Sequence, residues 1–404
     1  MPRPLSVFFA TIAAGGGHVA TAAALAEALH RHHPGEFTTR VSDVMAEFGA
    51  AALDRRHKAG WRALLRRPRL VRLGQRVTDA LPAVTRLSQR GLLAPFAAEL
   101  ARRLGELGPD LIVANHGWLA TAFALARERH GLEAPVVIFA TEPFDASALW
   151  AEPASERVLA PSVAAKQDLV RLGVGPQRVA VVGYPVGQRF LNPPTQAAAR
   201  AEHGLPPTGF TALLTLGAEG LAGEATAVAE RILDTGATLI AVAGRNAELK
   251  ARLDEVAARR RSLLPFGFTT EMPTLLAAAD VVVGKAGPAS TMEALAVGRP
   301  VLATAYAGLN ERAVVRFLAA RGVGGAVALP ELGAAVAAWR DTPGLLAGAK
   351  ARAAALDFAG MAERAAAHLR AVARGEAPSE PDVAGLPFEG TSRELLGGGG
   401  GGSR

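Results

Sequence analysis

Short apolar runs alternate with longer amphipathic stretches along most of this chain, and the two periods together predict a repeating strand–helix pattern. Residues 5–12 are almost continuously apolar, as a strand buried on both faces requires. Gly15-Gly16-Gly17 then turns the chain into a helix over 18–30. Strands follow at 37–44, 111–114, 136–140, 158–160 and 179–182, with helices at 92–107, 120–130 and 164–172. The break Asn192-Pro193-Pro194-Thr195 reads as an interdomain linker. Beyond it the alternation restarts, with strands at 210–216, 238–243, 263–266, 281–283 and 301–304. The intervening helices end at 233 and 260 or cover 272–278 and 312–320, with one more built around Glu293. This order predicts an α/β fold of two Rossmann-like doubly wound domains facing a central cleft. The first spans 1–190, with a helical insertion at about 50–90, and the second spans 196–345. Helices follow over 346–374, and a Gly-, Pro-, Ser- and Glu-rich tail over 375–404 is expected to be disordered.

Composition agrees and narrows the chemistry. A chain of 404 residues, half of them hydrophobic and a fifth charged, is long enough for two cores. Zero cysteines exclude disulfides, thiolate zinc sites and a cysteine nucleophile, and suit a reducing compartment. No run of about 20 uncharged apolar residues is present, and the N-terminus leads directly into a strand, so a cytoplasmic protein is expected. The net charge of +7 is unevenly placed: residues 51–103 hold thirteen bases and three acids. Trp61, Leu64, Leu65, Leu70, Val71, Leu73 and Val77 interleave with those bases. That pattern predicts a basic amphipathic surface for an anionic bilayer, with a solvated helical face as the plainer alternative. No nucleic-acid-binding motif accompanies the charge, and no nucleic-acid partner is expected.

Candidate chemistry gathers where predicted strands turn into helices. Gly284-Lys285-Ala286-Gly287-Pro288-Ala289-Ser290 follows a buried strand and opens a helix starting at Ser290 or Thr291, so its amides and dipole suit an anion. Glu293, expected in the first turn, offers a carboxylate to a ribose diol. Gly217-Ala218-Glu219-Gly220 has the same strand-to-helix setting and reads as a second phosphate cradle. Arg245, between Gly244 and Asn246, is placed to meet a phosphate. In the first half, Gly16 and Gly17 allow close ligand approach, and His18 sits at a helix N-terminus that disfavours its protonated form. A neutral imidazole there suits a general base. His116 lies at another strand end, and Glu142 and Asp145 follow the next, where they could orient a base or bind acceptor hydroxyls.

These motifs carry a resemblance. Lys285-Ala286-Gly287-Pro288, Glu293-Ala294-Leu295 and Gly298-Arg299-Pro300 are similar to the donor-site segment of the monogalactosyldiacylglycerol synthase and processive diacylglycerol glucosyltransferase family, which is distantly similar to the peptidoglycan glycosyltransferase of the lipid II pathway. Gly15-Gly16-Gly17-His18, Asn115-His116-Gly117 and the acidic stretch with Glu142 and Asp145 match its acceptor side. The resemblance implies a GT-B fold. It also implies donor contacts from Gly217, Glu219, Gly220, Gly244, Arg245, Asn246, Phe268, Lys285, Ala286, Gly287, Ser290, Glu293, Asn310 and Glu311, with acceptor contacts from Gly16, Gly17 and His116. This chain departs from the family at Ala14 and Val19 beside the glycine loop, at Ser147 where a histidine is usual, at Asn310 for Gln and at Val314 for Asn.

The expected function is that of an inverting hexosyltransferase. His18, with Glu142 and Asp145 as the other catalytic candidates, would deprotonate a membrane-lipid acceptor, such as diacylglycerol, for attack on a UDP-sugar. No cofactor and no metal are expected, and the placement is peripheral, on the inner face of the cell membrane. The alternatives are a UDP-sugar epimerase, a transferase with a soluble acceptor, and a non-catalytic nucleotide-sugar-binding protein.

Overall fold

The computed structural model describes residues 3–13, 16–65, 67–215 and 225–377. The glycine-loop residues 14 and 15, the cradle with Gly217, Glu219 and Gly220, and the tail from residue 378 lie outside the described residues. The chain forms two units. The first takes the residues up to Gly187, Ala307–Ala313 and the residues from Asp357 onward, and the second takes Gln188–Tyr306 and Val314–Leu356.

In the first unit the elements are β1 (Leu5–Thr11), α1 (Gly17–His32), β2 (Phe37–Asp43), α2 (Val44–Glu47), α3 (Ala51–Leu65), α4 (Pro68–Ala80), α5 (Pro82–Leu107), β3 (Leu111–Ala114), α6 (Gly117–His130), β4 (Val136–Phe139), β5 (Arg157–Ala160), α7 (Val163–Arg171) and β6 (Val179–Val181). The strands pair in parallel in the order β2-β1-β3-β4-β5-β6. β1 shows how the sequence builds two cores from one strand. Val7 and Phe9 join one cluster with Leu25 and Leu29 of α1, while Phe8 and Ala10 join the other with Phe96 and Leu100 of α5 and Phe123 of α6. A central strand covered on both faces needs apolar residues at successive positions, which is why Val7 to Ala10 of β1 show no polar alternation, whereas the edge strand β2 keeps polar residues.

The second unit runs α8 (Gln188–Leu191), α9 (Gln196–Glu202), β7 (Thr211–Thr215), α10 (Ala225–Leu233), β8 (Thr238–Val242), α11 (Ala247–Arg259), β9 (Leu263–Phe266), α12 (Met272–Ala278), β10 (Val281–Lys285), α13 (Pro288–Ala296), β11 (Val301–Ala305), α14 (Leu309–Ala320), β12 (Gly324–Ala326), α15 (Leu332–Asp341) and α16 (Pro343–Ala354). The first turn of α14 groups with the first unit. Its strands are also parallel, ordered β12-β11-β10-β7-β8-β9. The last helix, α17 (Phe358–Ala373), returns to the first unit, where Ala362, Ala365 and Leu369 pack with α1 residues.

Several elements differ from their sequence expectation: the short helices α2, α8 and α9 were not expected, and three further differences have a clear physical reason. The helix expected at 92–107 is a single 26-residue α5 beginning at Pro82, because the last part of the basic insertion continues in helical register into the core positions Leu93, Phe96, Leu100 and Leu104. β12 was not expected: Gly324 and Gly325 hide its strand character. Gly324 has φ +142°, and a Cβ there would overlap the Val301 carbonyl of the neighbouring strand. α13 begins at Pro288, not at Ser290 or Thr291. Proline at the first position is pre-set for a helix start, and Glu293 therefore falls in the second turn.

The charged insertion is also less uniform than its composition suggests. Lys58 pairs with Asp43 at 2.8 Å and with Asp54 at 2.7 Å. Arg86 donates to the Leu172 carbonyl at 3.1 Å, and Arg90 pairs with Glu128. Arg55, Arg56, Arg67, Arg69 and Arg76 stay exposed. Among the described residues no helix is long and apolar enough to cross a membrane.

Candidate active site

Both sheets reverse their strand order once, and ligands of such folds sit beyond the strand C-termini at that switch point. In the first unit the reversal lies between β1 and β3. His18 occupies the second position of α1, just past β1, and Asn115-His116 follows β3. Their rings lie 4.7 Å apart, centroid to centroid. Thr141, just after β4, places its hydroxyl 2.9 Å from His18 Nδ1, and the Asn115 backbone carbonyl accepts a hydrogen bond from the same imidazole. Burial, reinforced by the neighbouring His57, pushes His18 down to about 4. The ring is therefore neutral at pH 7.

His116 does double duty. Its Nδ1 accepts the Trp118 N–H at 3.2 Å and caps α6, which puts the proton of the neutral ring on Nε2. Burial, followed by the charges of His18, His57 and Lys58, holds it well below the usual histidine range. His57 completes the group from α3: its ring is 4.0 Å from Trp118 and 5.8 Å from His116. Sequence reasoning missed His57, which was one more polar residue in a run of bases. Two buried polar side chains at the same strand ends, Thr11 Oγ1 and both amide atoms of Asn115, have no hydrogen-bond partner among the described residues. An unpaired buried polar group costs about 1–3 kcal/mol, so this corner is built with unspent polar capacity.

The two carboxylates expected to assist His18 lie differently. Glu142 accepts the Ser147 N–H at 3.1 Å and the Trp150 indole N–H, and the Trp150 ring lies 6.1 Å from the His18 imidazole, centroid to centroid. The groups that orient His18 are therefore Thr141 and the Asn115 carbonyl, not Glu142 or Asp145. Those two acids belong instead to a partly buried carboxylate group with Asp79 of α4 and Asp168 of α7. Asp79 accepts the Ala148 N–H at 2.8 Å and Asp168 the Ala146 N–H at 3.3 Å, so both pin the same loop. Burial and then the charge of Asp79 raise Glu142 to about 7, and burial with Glu142 beside it holds Asp145 well above the usual carboxylate range. Ser147, at the family's histidine position, is buried and contributes its backbone to this loop.

In the second unit the reversal lies between β7 and β10. Gly284, the penultimate residue of β10, has φ +155°, and a Cβ there would overlap the Thr215 carbonyl of β7, so this position tolerates only glycine. The amides of Ala286 and Gly287 are already spent, donating to Ala305 O at 3.0 Å and Lys285 O at 2.8 Å. This corrects the expectation that they face an anion. Pro288 has no N–H, which leaves Ala289 and Ser290 as the open amides at the head of α13. Ser290 Oγ donates to Gly287 O at 3.2 Å. Burial raises Glu293 to about 7, opposed by Arg189.

The rest of the expected donor set divides by role. Gly244 lies two residues beyond the end of β8, with φ +61°. Asn246 uses its side-chain oxygen to cap α11, accepting the Leu249 N–H at 2.9 Å. Phe268 is 58% exposed, which excludes a core role, and the Arg245 guanidinium sits 4.3 Å above its ring. That cation–π contact is worth about 0.5–1 kcal/mol at an exposed site, enough to bias both side chains into one flat platform. Glu311 accepts the Ala307 N–H at 2.6 Å and closes the loop carrying Asn310. Val314 is fully buried, so its departure from Asn is a core substitution.

A pair of parallel, doubly wound units with glycine turns at both switch points defines the GT-B class. Residues 18–186 match the monogalactosyldiacylglycerol (MGDG) synthase family, and residues 215–311 match the glycosyltransferase family 28 C-terminal domain. The chain therefore carries a monogalactosyldiacylglycerol synthase family domain followed by a glycosyltransferase family 28 C-terminal domain. It is 25% identical over 336 residues to monogalactosyldiacylglycerol synthase 1, chloroplastic, of Arabidopsis thaliana, covering 80% of this chain and 62% of that protein. It is 25% identical over 196 residues to the processive diacylglycerol beta-glucosyltransferase of Staphylococcus aureus strain Newman, covering 48% and 49%. Anabaena HepE, solved in complex with UDP, superimposes with a TM-score of 0.54 at 16% identity over 91% of this chain and 100% of that one. At that identity the likeness establishes the fold. The chain spans about three fifths of the length of the plant synthases it matches.

Proposed function

We propose that this protein transfers a hexose from a UDP-sugar to the hydroxyl of a membrane lipid, diacylglycerol by preference, with inversion at the anomeric carbon. The observation that carries the reading is His18: a neutral imidazole at a helix head beside a glycine turn, oriented by Thr141 and Asn115, within the synthase-family domain. In the proposed step His18 takes the acceptor hydroxyl proton as that oxygen bonds to the anomeric carbon. The bond from that carbon to the β-phosphate oxygen breaks, and UDP leaves with the electron pair. The open amides of Ala289 and Ser290 suit the diphosphate, Glu293 the ribose, and the Arg245–Phe268 platform the base.

The lipid side is supported by α4. Leu70, Leu73 and Val77, spaced three and four residues apart, line its exposed face and continue into Leu81, Val84 and Leu87. Arg69 and Arg76 flank that line. An apolar stripe between cations fits an anionic bilayer surface. The deciding experiment incubates the protein with radiolabelled UDP-glucose or UDP-galactose and a lipid extract, with and without EDTA. A labelled glycolipid, formed equally under both conditions, is expected. Label appearing only in a C2-epimerised sugar nucleotide or a water-soluble product defeats the lipid reading, and UDP binding without turnover defeats the enzyme.

A further inference from the structure

The side of α4 away from the apolar stripe is held within the first unit at three points. Arg72 donates to the Ala307 carbonyl at 3.2 Å, and Gln75 Oε1 accepts the Leu309 N–H at 2.7 Å. Asp79, in the last turn of the helix, accepts the Ala148 N–H at 2.8 Å. A carboxylate in a last turn is disfavoured by the helix dipole, so Asp79 is explained by the amide it holds and not by α4. Ala148 sits inside a turn that Trp150 closes by donating its backbone N–H to the Ser147 carbonyl at 3.0 Å. The turn also rests on the head of α6: a Cβ on Gly117 would stand 2.8 Å from the Leu149 carbonyl oxygen. Gly117 directly follows His116, so α4 and the head of α6 clamp the turn beside one of the site's imidazoles. From there the buried Trp150 side chain reaches the site, its ring centroid 6.1 Å from His18 and 6.5 Å from His116.

We propose that Asp79 is a positioning residue for the base: by holding the Ala148 N–H it keeps the Trp150 ring packed on the His18 and His116 imidazoles and water away from His18. The inference rests on the reading of His18 as general base given above. Asp79 acts through the turn and not on the imidazole. The neighbouring amides of Ala146 and Ser147 go to Asp168 and Glu142. The turn therefore stays anchored on that side when Asp79 is changed, and the slack falls at Ala148 and toward Trp150. A ring that drifts from His18 lets water in, and water favours the charged imidazolium. The base would then be less well oriented and more often protonated.

The test compares Asp79→Ala and Asp79→Asn with the parent protein. Both remove the same charge from a group that includes Glu142, Asp145, Asp168 and Arg171, and neither alters His116 or His57, which face His18. Only Asn keeps an oxygen for the Ala148 N–H. Hydrogen exchange is read at the Ala148 amide, NMR follows titration of the His18 imidazole, and hexose transfer gives kcat and KM. Asp79→Ala should speed exchange at Ala148 about fivefold and move the His18 titration up from about 4 by about one pH unit or more. It should lower kcat by about tenfold with little change in KM. Asp79→Asn should restore all of these. Trp150→Leu removes the ring but leaves the Asp79 contact. It should shift His18 upward without exposing Ala148, and it decides the case if Asp79→Ala does not fold. The proposal is overturned by an unshifted His18 in Asp79→Ala or Trp150→Leu, by equal shifts in Asp79→Ala and Asp79→Asn, or by an Ala148 amide that stays protected in Asp79→Ala. A parent protein that transfers no hexose removes the functional reading, and exchange and titration then decide whether Asp79 holds Trp150 on His18. Failure confined to the variants removes the inference alone.

Discussion

His18 and Glu142, both neighbours of Trp150, are two candidate bases, and their environments push them in opposite directions from their ordinary values. Burial lowers the imidazole to about 4, so its base form persists through mildly acid pH. Burial and Asp79 raise the carboxyl to about 7, so its base form is lost as pH falls below neutrality. The pH profile of kcat therefore assigns the base. With His18 in that role, kcat should stay nearly flat from pH 8 to about 5, and His18→Ala should cut it roughly 100-fold or more while UDP affinity holds. An acid limb near 7 that disappears in Glu142→Gln would transfer the role to Glu142. Glu293, also near 7, should act on UDP affinity and not on kcat at saturation.

Among the elements, α4 presents two faces of different character. Its outer line of Leu70, Leu73 and Val77 and its inner line of Val71, Gln75 and Asp79 are set by helical spacing alone. Each basic group near an anionic leaflet contributes about 1 kcal/mol, so replacing both Arg69 and Arg76 with Ala should lower partitioning onto phosphatidylglycerol vesicles at low salt by about tenfold or more. Leu73→Ser with Val77→Ser should weaken it further at high salt, where charge is screened. Sedimentation with vesicles measures both. Unaltered sedimentation of the four-site variant, or no sedimentation of the parent, would remove the membrane role from this helix. The inner face must then be explained by its loop contacts alone, which survive either result.

For the whole molecule, a ligand that binds only the folded state raises stability in proportion to the logarithm of its concentration, by about 2.7 kcal/mol at 100 times its Kd. UDP should therefore raise the melting temperature of the protein in a dose-dependent way. Uridine should do so far less, because it offers nothing to the open amides at Ala289 and Ser290. A protein whose melting ignores UDP at millimolar concentration has no nucleotide site of the kind argued here.

The alternation of apolar runs and helical periods determined, without any coordinates, that the chain forms parallel α/β units, because strands buried on both faces and helices buried on one leave different imprints. It also singled out glycines at backbone positions that other residues cannot adopt, Gly284 above all. The tertiary structure decided what each polar group does. Ala286 and Gly287 spend their amides on neighbours distant or local, Asn246 caps a helix, and Thr141 rather than a carboxylate orients His18. His57 reached the site, and Gln75 the Asn310 loop, from an insertion that sequence could describe only as basic. Hydrogen bonds are satisfied by whatever the fold brings within 3 Å, and that proximity is a property of the packed chain, not of residue order.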